Sequence, residues 1–554
     1  MRKIITAAVV AASISGFAVS AQQTIDNPMT RAMLGVYDKE LEANPQNADI
    51  YFRRANEYYK FNQYLRALAD VEKALEFTPE SDKDMRFQEL MLRADIYQMQ
   101  GKHSEALADF TAALKIDPTS FLALYQKSNE EYELGEYAAA KAGYTRMRAI
   151  NPRSPEALTG LARVAVKENN IGLASEYMDA AVDMMSADSD IYIRRASVRR
   201  MQGNITGAVE DLLSAISINN NTKAFEELID LANNDYPAVI SAISTAISYA
   251  CLLYTSPSPR DRYYIRGFIA QAHDHFSTAL ADYRKLVSDN MYSYAGLFNS
   301  MAECQLALCK FDEALDNVDH AISMEQERRQ EFFLTKARIL FAQKKYKEAV
   351  AALDIAKEAG KLSPRGEDFE GVLDFAMGEF SDANGLYGEM TIDNPERMSS
   401  YIYRAWVLND GLKEPSNALK IYNRVVKLTS TDNDDNPEDA GYTKSAGNSL
   451  SAIESCRGFA LLYSGNKEEA LKWVEDLQRD FRDTDGYLSF MAACLYANAG
   501  ETDKAFSSLD KALQLGYGNL YKITEADYGR VSLAPIRNDS RFAGLLARYK
   551  HLFE

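Results

Sequence analysis

The chain of 554 residues carries 62 lysines and arginines against 80 aspartates and glutamates, a formal charge of -18. A surface of that sign repels a phosphate backbone and excludes nucleic acid as a partner on electrostatic grounds. With 14 prolines and 28 glycines there is little linker for the several ordinary domains that the length would suggest, and one long helical array fits the composition better.

The chain opens MRKIITAAVVAASISGFAVSAQQ. Arg2 and Lys3 precede an apolar run too short for a membrane span, and Val19 and Ala21 flank Ser20 at its end. Residues 1–21 read as a secretory signal peptide. No cysteine follows the run as a lipid attachment point, and no later segment offers about 18 consecutive apolar residues. The expectation is an exported, periplasmic chain without a transmembrane segment.

From residue 22 to residue 250 the sequence repeats itself with a period of 34, seen most directly between Pro118 and Pro152 and carried on to Ser186 and Asn220. Each unit places a small residue (Ala55, Ala94, Ala162, Ala196) twelve positions before an alanine (Ala67, Ala106, Ala174, Ala208), with another small or apolar residue seven positions further on. Small side chains at both places let two helices cross at the short end of the usual interaxial range. The tight turn between them often holds glycine, as at Gly101, Gly135 and Gly203, where a left-handed residue ends the first helix without a Cβ clash. The repeating unit is therefore a helical hairpin.

Arginine and aspartate recur sixteen positions apart within these units, as Arg54 with Asp70, Arg93 with Asp109, Arg195 with Asp211 and Arg266 with Asp282. The first stands on the first helix and the second on the second, so a guanidinium meets a carboxylate across the hairpin. Such pairs are structural staples, because a pair present in hairpin after hairpin cannot be catalytic in each.

The order small residue, aromatic, glycine, aromatic, alanine, aromatic, alanine and closing proline resembles the tetratricopeptide repeat family. About thirteen units follow one another over roughly four fifths of the chain. The first closes at Pro79, the second at Pro118 and the tenth at Pro395, and the last contains Gly500, Ala505 and Ala512. The resemblance implies an all-α, right-handed superhelical α-solenoid of helix-turn-helix units. It also implies that the first helices line a concave groove for a protein or peptide partner, whose inward residues flank the small crossing position. In this chain those positions hold Phe52, Asn56, Tyr59, Met91, Asp95, Tyr125, Asn129 and Tyr132, and later Tyr264, Phe268, Phe341, Trp406, Phe459 and Tyr463. Aromatic side chains in a groove are the usual stuff of binding hot spots. Relatives that clamp a terminal carboxylate use lysine where Phe52 and Tyr125 stand, so that mode of recognition is not expected.

Two units depart from the pattern. The sixth lacks the glycine and has Pro237 near its second helix, and the tenth puts Gly371 and Asp374 into a first helix. Between the sixth and seventh units stands CLLYTSPSPRD, residues 251–261, with two Ser-Pro steps and no helical period. All eleven residues resemble the in-frame translation of a transposase adapter end used to prepare DNA for sequencing, and they are set aside as an artefactual insert from which no function is read. The second array runs over residues 262–514 and is interrupted by an acidic loop at 429–444, whose carboxylates lack the alternating framework, glycine and closing glutamate of a calcium loop.

His273, Asp274 and His275 sit at a turn without a third ligand nearby, and Cys304, Cys309, Cys456 and Cys494 read as free thiols. No nucleophile with its base, zinc pattern or phosphate loop appears, so neither catalysis nor a cofactor has a candidate. Residues 515–554 close the array as a cap, with Phe542, Leu545, Leu546, Tyr549 and Leu552 on one helical stripe. The reading is a non-catalytic scaffold for a protein or peptide. The rival is an envelope-remodelling or glycan-handling protein with a site on the array that uses Trp406 and Phe459 as platforms and Asp410 as an acid.

Overall fold

A computed structural model of the protein describes residues 28–184, 187–253, 259–288, 294–325, 329–429 and 450–554. Residues 1–21, the centre of CLLYTSPSPRD and the acidic loop beyond Thr429 lie outside them. The described chain is all-α and divides into two compact units between Phe225 and Glu226. That division falls within a helix, upstream of residues 251–261.

In the N-terminal unit, α1 (Pro28–Ala43) precedes five hairpins. They are α2 and α3 (Ala48–Lys60, Tyr64–Phe77), α4 and α5 (Lys83–Met99, His103–Ile116), α6 and α7 (Phe121–Glu133, Tyr137–Ile150), α8 and α9 (Pro155–Lys167, Ile171–Met184), and α10 and α11 (Ser189–Met201, Ile205–Asn219). The boundary helix α12 (Thr222–Asn234) leads to α13 (Tyr236–Leu253). The C-terminal unit continues with α14 and α15 (Pro259–Ala272, Phe276–Ser288), α16 and α17 (Ala295–Ala307, Phe311–Met324), and α18 and α19 (Gln330–Ala342, Tyr346–Glu358). After these come α20 and α21 (Pro364–Met377, Phe380–Asp393), α22 and α23 (Met398–Trp406, Pro415–Leu428), α24 and α25 (Leu450–Tyr463, Lys467–Asp480), and α26 and α27 (Tyr487–Asn498, Thr502–Gln514). Short helices α28 (Leu520–Thr524) and α29 (Ala534–Arg537) precede α30 (Ser540–Arg548).

The hairpins close where the alanines stand. Ala55, Ala67, Ala94, Ala106 and Ala174 are wholly enclosed, and each hairpin's two helices pack against one another before they meet the next pair. The turn requires a left-handed residue, which glycine supplies at Gly101, Gly135 and Gly203. Asn62, Asn169, Asp274, Cys309 and Lys344 adopt the same conformation at corresponding turns. Asparagine and aspartate tolerate it through local hydrogen bonding, whereas Cys309 and Lys344 hold it against the Cβ penalty.

Arg54 makes two hydrogen bonds of 2.7 Å to Asp70, and Arg93 makes two of the same length to Asp109. Arg195 with Asp211 and Arg266 with Asp282 repeat the bidentate arrangement. Burial pushes the Asp211 and Asp282 carboxyls up, and the paired guanidinium pulls against it.

The departures from the repeat have local causes. Pro237 stands in the first turn of α13, where its missing N–H has no intrahelical partner to lose. Gly371, inside α20, leaves room for the Tyr387 ring, because a Cβ there would lie 2.4 Å from it. Tyr387 is fully enclosed and donates from its hydroxyl to the Asp368 carbonyl at 2.8 Å. A large ring on the second helix thus fills what the glycine vacates on the first, and Gly267 with Tyr283 repeats the exchange.

Candidate functional site

On the first helices of the N-terminal unit the residue after the crossing position recurs in one register as Asn56, Asp95, Asn129 and Arg163. Phe52 and Tyr59 lie partly exposed against the cluster of Ala55, Val71, Leu92 and Ile96. Tyr59 approaches Tyr64 at 6.0 Å between ring centres, and Tyr132 approaches Tyr137 at 5.4 Å. Tyr125 and Tyr132 are partly buried beside Leu124, Ala140 and Leu161. Asn129 accepts hydrogen bonds from the Tyr144 hydroxyl at 2.7 Å and from Arg163 at 3.3 Å. Arg163 also lies 3.9 Å from the Tyr132 ring centre and bonds Glu133 at 2.6 Å. Aromatic and amide groups therefore share one face of α2 and α6, with Asp95 on α4 and Arg163 on α8 in the same register.

Met91 departs from the groove reading: it is buried among Leu90, Phe110 and Ala123 and packs between hairpins. Phe52 and Tyr125 at the equivalent position stay partly exposed, whereas Phe110 of its own hairpin and Ala123 of the next close over Met91.

The C-terminal unit is built differently, because its own tail lies across its first helices. The Gly518 N–H donates to the Asp274 carbonyl at 2.9 Å, at the turn between α14 and α15. Thr524 meets Cys309 at 3.9 Å, at the turn between α16 and α17, and Tyr521 packs edge-on against Phe311. Tyr528 lies 6.5 Å from Tyr403 on α22. Arg530 pairs with Asp410 through both carboxylate oxygens, and the Arg530 carbonyl accepts from the Tyr463 hydroxyl at 2.7 Å. Asp410 is presented by a π-helical turn, Val407–Gly411, that follows α22. Beyond, Asn498 donates to the Ser532 carbonyl at 2.8 Å. The helix α30 then covers the last hairpin, with Phe542 and Leu545 buried and Arg541 stacked on Phe506. Residues 540–552 therefore pack as a terminal cover, while residues 516–532 do something that the repeat pattern does not announce.

Several C-terminal residues assigned to the groove are consequently occupied. Trp406 is buried and stacks on Phe375 with ring centres 3.9 Å apart. Phe459 is 2% exposed, and Tyr463 is held by Arg530. Phe341 packs against Tyr346 and Phe369, while Tyr264 and Phe268 remain partly exposed on α14. With Trp406 and Phe459 in the interior and Asp410 committed to Arg530, these three residues do not form an open sugar platform. Between the tail and the hairpins remains a cavity of about 280 Å³, lined by Phe341, Phe375, Trp406, Tyr521 and Tyr528 among others. The signal in the sequence that marks the tail is LGYGNLYKITEADYGR. It has glycines at close approaches, since a Cβ on Gly529 would lie 2.8 Å from the Tyr403 ring.

Cys304, Cys309, Cys456 and Cys494 are free thiols, and burial pushes Cys494 up to about 12 and Cys309 up to about 11. Among the described residues no group of three histidine, cysteine or carboxylate side chains is placed to hold a metal ion, and no helix is long and apolar enough to cross a membrane.

Comparison with known proteins bears on the family. The tetratricopeptide repeat pattern matches residues 48–81, 87–120, 125–189 and 300–364. Tetratricopeptide repeat protein 16 of Homo sapiens is 23% identical over 39% of this chain and 26% of its own length. The mitochondrial import receptor subunit TOM70 of Homo sapiens is 22% identical over 38% of this chain and 36% of its own length. The chain thus spans about a quarter of the first of these relatives and about a third of the second. Among solved structures, YrrB, described as a TPR protein with an unusual peptide-binding site, is 21% identical over 34% of this chain and 96% of its own, with a TM-score of 0.28. A tetratricopeptide repeat protein from Parabacteroides merdae is 18% identical over 53% of this chain and 99% of its own, with a TM-score of 0.29. The repeat pattern is thus matched in both units, with helical hairpins at each matched segment, and the chain carries tetratricopeptide repeats over residues 48–81, 87–120, 125–189 and 300–364.

Proposed function

We propose that the protein is a non-catalytic scaffold that holds an extended protein or peptide segment on the first-helix face of its N-terminal unit, in the periplasm after export. One observation carries the placement. The first helices of the C-terminal unit are crossed by residues 516–532, whereas Phe52, Tyr59, Tyr125 and Tyr132 remain partly exposed along α2 and α6. Large rings beside amides suit a peptide, since they supply contact area at low conformational cost and leave polar groups for its backbone. Export is supported by the basic and apolar run of residues 2–21, and edman sequencing of the exported protein is expected to start at Gln22. A mature chain that still begins at Met1 overturns that part.

Binding is tested with Phe52→Ala and Tyr125→Ala together. Losing two hot-spot rings is expected to weaken a captured peptide at least about tenfold, with the melting of the C-terminal unit unchanged. Unchanged affinity would remove the partner from this face.

A further inference from the structure

The polar row along the N-terminal unit is satisfied at three of its four members. The Asn56 amide donates to the Phe52 carbonyl at 2.9 Å, and Asn129 and Arg163 are engaged as described. Asp95 is the exception. Its Oδ1 is enclosed and accepts no hydrogen bond, although the residue as a whole stays partly exposed on the face of α4. Other buried carboxylates of this unit each have at least one oxygen met by a close donor or a cation, although Glu89 and Glu131 keep a second oxygen without a partner. Asp70 has Arg54 and Asp109 has Arg93, Glu130 receives Gln98 and His103, and Glu131 receives Lys127.

Two neighbours define the surroundings of Asp95. Its charge acts on the Tyr59 hydroxyl, which burial first and Asp95 next push up. On the other side the Gln126 side chain, on α6, is a neutral hydrogen-bond donor that offsets in part the burial of the carboxylate and brings no charge to it. A carboxylate held among a phenol, an amide and apolar side chains, without a counterion among the described residues, is an anion whose desolvation the fold has not compensated. An incoming ammonium or guanidinium compensates it through a charge-assisted hydrogen bond, with the Tyr59 ring beside it as a cation–π surface. The net charge of -18 draws segments of the same sign as that cation.

We propose that Asp95 is the anchoring carboxylate for a lysine or arginine side chain of the protein segment held on this face. The inference rests on the scaffold reading and names its recognition chemistry: a basic side chain enters between Tyr59 and Gln126 while the backbone of the segment runs over the neighbouring amides.

A random linear-peptide phage library panned on the full chain, with elution by competition against the Phe52→Ala, Tyr125→Ala variant as counter-selection, supplies the probe. Recovered peptides are expected to carry lysine or arginine at one fixed position. Synthetic copies are expected to bind Asp95→Asn about tenfold more weakly than the wild-type chain. Replacing the basic residue by norleucine is expected to cost the same factor on the wild-type chain and little on Asp95→Asn, the signature of a direct pair. Asp95→Glu, which keeps the charge, is expected to recover part of the affinity, and circular dichroism melts of both variants report that the fold is kept. Peptides that enrich without a basic residue, or that bind Asp95→Asn as well as the wild-type chain, overturn the anchoring role and leave the scaffold reading standing. A library that yields no binder to this face overturns both.

Discussion

A carboxylate that folding half-buries without a counterion is a load on the native state, and Asp95 bears it once ionised. Burial pushes its pKa up to about 6, whereas in the unfolded chain an aspartate titrates near about 3.9. Between those values the native state holds a proton that the unfolded state has released, so stability falls as pH rises through this window and stays lower above it. Asp95→Asn removes the load. The variant is expected to exceed the wild-type chain by about 2 kcal/mol at about pH 8 and to match it near about pH 4, measured by urea unfolding of the N-terminal unit. Equal stability at the higher pH would show that water already solvates the carboxylate. The stapled aspartates differ in kind. Each buried Asp70, Asp109, Asp211 or Asp282 faces a bidentate arginine, and attraction and desolvation in such a pair nearly cancel. What these pairs add is register between the two helices of a hairpin, since a carboxylate left without its arginine would be strongly destabilising.

At the scale of the helix, the hairpins were legible because their cause is local and periodic. An enclosed alanine at each crossing and a left-handed residue at each turn recur with the repeat, and the structure places both where the spacing requires. The tenth unit looked weak because glycine is a poor helix former, and a ring sixteen residues away supplies the packing that propensity alone does not register. The tail was not legible for the opposite reason. Its contacts join residues 516–532 to Asp274, Cys309, Asp410 and Tyr463, which no period connects, so Trp406 and Phe459 read as groove residues when they lie in the interior. One position tests the docking of this segment. Gly529 has φ of 75° with the Tyr403 ring against it, so Gly529→Val meets both a backbone penalty and a clash. Amide exchange in residues 516–532 is expected to quicken by at least about tenfold, while helices α2 to α11 exchange as before. Unaltered exchange in the tail would mean that the segment is held elsewhere.

At the scale of the whole molecule, the two units share one building block and differ in what crosses it. The N-terminal unit leaves tyrosines and an uncompensated carboxylate on its first helices, and the C-terminal unit covers the same face with its own residues. Repetition alone therefore does not say which first-helix face stays open; the non-repeating segment does.

That segment also alters how the chain comes apart and together. An array whose hairpins touch only their neighbours gains stability one interface at a time, so it frays from its ends and begins to fold as soon as a few units exist. Linking Asp274 to Gly518 and Lys310 to the carbonyl of Glu554 closes loops of more than two hundred residues, and those contacts wait until the last residues are present. The N-terminal unit is thus free to assemble progressively, whereas the C-terminal unit acquires its final contacts in one late step and, once they are made, comes undone as a block.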